Sequence, residues 1–193
     1  MNSNCTKGSN HVQFYNRLID ILRISLSIVV VLLFSVFTLI PTIDIFEAIL
    51  IVVLLLFDLL GYSRRLSSKS VIIYYVSWML IAVGVVYEGQ IGLYFWSPLV
   101  IIFTLKAGVL ALSYLKFKRL YVTKTVLGYI WLTSFVLYLI ELIINSTHGL
   151  GSLCVNLAFF SVVEHVLLIL VQRKQRVFVP SVLSLAWKKS KND

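Results

Sequence analysis

"LLLFDLLGYSRRLSSKS", residues 54–70, decides what kind of protein this is. It opens as a run of leucines suited to hydrocarbon, holds one carboxylate at Asp58, turns over at Gly61 and breaks into Tyr62, Ser63, Arg64 and Arg65. An apolar run ended by a glycine and paired arginines reads as the cytoplasmic end of a membrane span, because Lys and Arg concentrate in loops that stay inside. The same character runs along all 193 residues, of which 60% are hydrophobic and 13% charged, with a mean hydropathy of +0.96. Soluble domains carry about 25% charged residues.

Working outward from that stretch, six apolar segments can be read, at roughly 19–40, 45–62, 71–88, 92–115, 124–145 and 152–172. Each approaches the ~20 residues that cross ~30 Å of hydrocarbon as a helix. A soluble helical bundle would need polar faces, which these segments lack. The expectation is an all-α integral membrane protein: a six-transmembrane-helix bundle with both termini cytoplasmic and short amphipathic segments at the N- and C-terminal ends. Residues 1–18 form a cytoplasmic lead, 19–172 the membrane domain and 173–193 a basic cytoplasmic tail.

The net charge of +9 follows the same plan. Lys7, Arg17 and Arg23 precede or open the first segment; Arg64, Arg65 and Lys69 separate the second from the third. Lys116, Lys118, Arg119 and Lys124 separate the fourth from the fifth, and six more basic residues follow the sixth. The intervening loops, near residues 41–44, 88–92 and 145–151, hold no Lys or Arg. That alternation sets the termini inside. It assigns the basicity to topology and anionic lipid, and not to nucleic acid.

Ionised groups inside a span cost at least ~2.5–3.5 kcal/mol, so each requires a partner or a purpose. Asp58 stands about 9 Å inside the cytoplasmic face, Lys106 about 15 Å, and Glu164 with His165 about 12–14 Å, at 1.5 Å per residue. Their similar depth reads either as a polar cavity open to the cytoplasm or as a structural cluster, with Lys106 neutralised by Asp58 or Glu164. Lys106 is expected inside the bundle in reach of Asp58, Glu164 or a neighbouring hydroxyl, and Asp58 is expected to pair with a nearby Arg or with Lys106. Glu88 and Glu141, at the outer ends of their spans, read as interfacial. Cys154 and His165 share a helix face but lie ~16 Å apart along the axis, too far for a catalytic dyad. The membrane separates Cys5 from Cys154, which excludes a disulfide between them. His11, His148 and His165 are too dispersed for a zinc site.

The order of several motifs resembles the CDP-alcohol phosphatidyltransferase family. "YNRLIDILRISLS" (residues 15–27) is similar to that family's opening segment, with Asn16 and Arg23 at matching places. "LLGYSRRL" (59–66) falls where members carry Asp-x-x-Asp-Gly-x-x-Ala-Arg. Lys106 occupies a fourth-helix position where members often have arginine. "LKFKRLYVTKTVLGY" (115–129) and "SVVEHVLLIL" (161–170) resemble the family's basic loop and its closing segments. The resemblance implies a six-helix fold with a cytoplasm-facing cavity, and carries phosphate or lipid binding onto Asn16, Arg23, Gly61, Arg65, Lys116 and Lys124.

The departure lies in the carboxylates. Registered on Gly61 and Arg65, the family's metal-binding aspartates fall at Phe57, Leu60, Trp78 and Ala82, and residues 59–87 hold neither Asp nor Glu. Magnesium-type ions need oxygen ligands. The expectation is therefore a pseudoenzyme of a bacterial cytoplasmic membrane, with no catalytic residues, metal or cofactor. It would bind membrane lipid, anionic phospholipid in particular, and a membrane-protein partner or a second copy of itself. Two other readings stay open: an active phosphatidyltransferase with atypical ligands, and a small six-helix transporter or substrate-binding membrane subunit, for which a midplane Lys106–Glu164 pair would serve.

Overall fold

A computed structural model describes residues 4–36, 41–60, 68–88, 93–120, 123–144 and 149–172. Its elements are six helices: α1 (Asn4–Val36), α2 (Pro41–Leu60), α3 (Ser68–Glu88), α4 (Leu93–Phe117), α5 (Val126–Ile143) and α6 (Leu150–Val171). Helices answer the sequence's main constraint, since only a hydrogen-bonded backbone tolerates a chain this apolar. Stretches in α3 to α6, namely Ser68–Val86, Ser97–Phe117, Val126–Ile143 and Leu150–Val171, are long and apolar enough to cross a membrane.

The first two helices differ from the expectation. α1 begins at Asn4, well ahead of the apolar segment, so one helix runs through most of the lead and into that segment. α2 holds three acids, Asp44, Glu47 and Asp58, of which Glu47 and Asp58 are buried. Hydropathy hid Glu47 among leucines and isoleucines. The basic tail lies outside the described residues.

The helices close a ring in the order α1, α2, α5, α6, α4, α3 and back to α1, with α3 and α5 also touching across its centre. Phe135 of α5 is the hub of that centre. Its ring stacks on Trp131 at 5.7 Å and meets the edges of Trp78 at 6.0 Å and Phe103 at 6.1 Å. Between apolar helices in lipid, association rests on close packing, and glycine permits it at one point. A Cβ added to Gly84 of α3 would come within 2.6 Å of the Phe34 ring of α1.

Candidate functional site

A cavity enclosing about 780 Å³, its open mouth included, lies at the end of the ring where α2, α4 and α6 finish and α3 and α5 begin. All six helices contribute to its wall. Of the described basic residues, Lys69 at the start of α3, Lys116 and Lys118 at the end of α4, Arg119 and Lys124 belong to this same end. Among the described residues, Arg23, Lys106 and Lys124 line it against a single carboxylate, Asp58. Tyr74, Tyr75, Tyr129, Trp131, Thr123, Thr125 and His165 add rings and polar groups.

Asp58 is fully engaged. One carboxylate oxygen forms an ion pair with Arg23 of α1, and the other accepts the Trp78 indole N–H at 3.0 Å. The Arg23 guanidinium also lies over the Tyr74 ring, 4.8 Å from its centroid. The acid that interrupts the leucine run is thus the counter-ion of an arginine on another helix. Arg23 and Asp58 are each about 7% exposed, and their pairing relieves much of the desolvation each would suffer alone.

Lys106 is buried, and its ammonium donates to Ser161 Oγ at 3.0 Å while sitting 3.8 Å from the Trp131 ring centroid. Of the partners expected for it, a neighbouring hydroxyl is the one it meets; neither Asp58 nor Glu164 reaches it. Depth along a helix says nothing about azimuth. Glu164 stands on the outer flank of α6, one residue and about 100° away from inward-facing His165. The intramembrane cluster therefore divides: Asp58, Lys106 and His165 line the cavity, and Glu164 does not.

Ser161 and Lys106 have the proximity of a serine–lysine pair, but the serine is fully buried and is not part of the cavity wall. A nucleophile must meet its substrate, so this pair is structural. His165 pins the α4–α5 connection to α6. Its Nε2 lies 2.8 Å from the Thr123 carbonyl oxygen and its Nδ1 2.5 Å from that of Ser161. Gly128 lets the two helices approach, because a Cβ there would stand 3.1 Å from Thr125 Oγ1 and 3.4 Å from the His165 ring. Thr125 caps α5 by accepting the Gly128 N–H at 2.9 Å, and the positive end of that helix dipole adds to the cationic wall.

Of the residues assigned to phosphate or lipid binding, Arg23 and Lys124 line the cavity. Lys116 does not; its ammonium donates to the Ile169 and Leu170 carbonyls at 2.5 and 2.9 Å, closing the C-terminal end of α6. Gly61 and Arg65 lie outside the described residues, and Asn16 is placed only as part of the α1 backbone. The space expected among Phe57, Leu60, Trp78 and Ala82 is not shared. Phe57 lines the cavity, whereas Trp78 and Ala82 are packed in the apolar core; the Leu60 side chain lies outside the described residues.

Glu141 was expected at the interface with water and is instead buried. Its carboxylate accepts the Leu150 N–H at 3.1 Å, which caps α6 across the α5–α6 connection.

No protein-family model matches this chain, and no curated protein or solved structure matches it. Among the described residues, no three His, Cys, Asp or Glu side chains converge as metal ligands. Sequence reasoning missed the aromatic wall of the cavity. Its one signal was the density of Tyr and Trp in residues 74–78 and 129–131, which is equally the composition of a packed core.

Proposed function

We propose that this chain is an integral membrane protein with six spans and cytoplasmic termini, and that its cavity holds the phosphate-bearing head group of an anionic lipid without transferring it. In this reading it is a non-catalytic relative of the CDP-alcohol phosphatidyltransferases, in a bacterial cytoplasmic membrane. The observation that carries it is Lys106: a buried cation in a cavity wall, with no carboxylate of the described residues in ion-pair reach, beside an acid already held by Arg23 and Trp78. A phosphate supplies the missing negative charge and accepts from an ammonium donor. Lys124 lines the same cavity and adds to its positive field.

Catalysis of the family's kind is disfavoured by the same geometry. Where the resemblance calls for a carboxylate on α3, Trp78 donates a hydrogen bond and offers no oxygen. The transporter alternative loses its proposed midplane pair, because Lys106 and Glu164 face different ways.

The test uses protein reconstituted in phosphatidylcholine vesicles. With CDP-diacylglycerol, candidate alcohols and magnesium or manganese, no CMP is expected above background; release that vanishes with chelator refutes the reading. Retention of phosphatidic acid over phosphatidylcholine is expected, weakened by Lys106→Met and by Lys124→Met. Equal retention of the two lipids removes the head-group site. Cysteine labelling that placed residues 41–44 in the cytoplasm would overturn the topology.

A further inference from the structure

One polar side chain of α6 faces away from the bundle, and a second stands at the edge of that face with one carboxylate oxygen covered by the protein. Asn156 is exposed, and Glu164, partly buried on the flank of the same face, has Oε2 buried with no hydrogen-bond partner. No ion pair or hydrogen bond joins Glu164 to any described residue. Around them the face is apolar: Phe160 is 60% exposed, Val163 40% and Leu167 44%. Glu164 stands seven positions before the end of the helix at Val171, about 10 Å deep at 1.5 Å per residue. Asn156 lies two turns above it, roughly 12 Å away along the axis.

Lipid tails offer neither group a hydrogen bond, and an ionised carboxylate at that depth is unfavourable unless paired. We infer that this face of α6 docks against a transmembrane helix of another protein, which carries Lys or Arg opposite Glu164 and an amide or hydroxyl opposite Asn156. Charge complementarity selects that occupant. Two copies of this chain meeting through α6 about an axis along the membrane normal set Glu164 against Glu164. Among the described residues no cation is on offer either, because the basic side chains well inside the spans, Arg23 and Lys106, are both buried in the bundle. The inference rests on α6 crossing the membrane and is independent of what fills the cavity.

The experiment reconstitutes the protein, labelled at its N-terminus with an acceptor fluorophore, in phosphatidylcholine vesicles. The probe is a donor-labelled Leu–Ala helix with a single Arg about 10 Å from one end, compared with the same helix bearing Leu there. Titration by energy transfer is expected to give roughly tenfold tighter association for the Arg helix, abolished by Glu164→Gln. Glu164→Lys should transfer the preference to a helix with Glu at that depth, and circular dichroism checks that each variant is folded. Equal association of the Arg and Leu helices with the unmodified protein overturns the inference. Energy transfer between two differently labelled copies, lost in Glu164→Gln, also overturns it by giving the face to a homodimer. Protein that floats free of the vesicles refutes the membrane reading itself, and is distinguished by flotation before any titration.

Discussion

Trp78 of α3 donates its indole N–H to Asp58 of α2 at 3.0 Å, on the carboxylate oxygen not used by Arg23 of α1. Three helices are joined at one buried acid. Trp78→Phe removes the donor and part of the ring volume beside Phe135, so it is expected to destabilise by about 1–3 kcal/mol through the orphaned oxygen and the space left. Thermal unfolding in detergent measures it. An unchanged midpoint would mean that the bond contributes nothing.

The Arg23–Asp58 pair predicts a strong asymmetry. Arg23→Met or Asp58→Leu alone leaves a buried charge, and each is expected to lose about 3–5 kcal/mol. The double variant should recover most of that loss, because no uncompensated charge remains. A double-mutant cycle of unfolding free energies decides; additive losses would rule out direct coupling.

Gly84→Ala brings a methyl group to within 2.6 Å of the Phe34 ring and should destabilise by about 1–3 kcal/mol. Phe34→Leu in the same chain is expected to restore part of the stability. No recovery would mean that α1 and α3 do not pack through this contact.

Lys116 separates stability from ligand binding. Because its ammonium closes the end of α6, Lys116→Met should cost about 1 kcal/mol in stability. Retention of phosphatidic acid by the folded variant should match the unmodified protein, in contrast to Lys106→Met. Loss of lipid retention without loss of stability would return Lys116 to the binding site.

Glu141→Gln keeps an acceptor for the Leu150 N–H but removes its charge from the positive end of α6, and Glu141→Leu removes both. Expected losses are about 0.5 kcal/mol for Gln and 1–2 kcal/mol for Leu. Unfolding midpoints that rank the two variants in the opposite order would exclude the capping role.

The sequence by itself determined the helical class, the number of helices to within a few residues at most ends, and the gathering of basic residues at alternate connections. These are sums over some twenty neighbouring residues, and hydropathy and charge survive such averaging. It also determined that Asp58, Lys106 and His165 needed partners, since burial of an ionisable group is costly whatever surrounds it. Who the partners are was decided only by the tertiary structure. Asp58 chose Arg23 over Lys106, Lys106 chose Ser161 and a tryptophan face, Lys116 turned to the carbonyls of α6, and Glu164 was left partly buried on the flank of α6 with one oxygen unpartnered. Chain position gives a residue's height along its helix to within a turn. The rotation of each helix about its own axis, at 100° per residue, is set by packing against neighbours far along the chain. Height along the helix was therefore legible in the residue order, and direction was not.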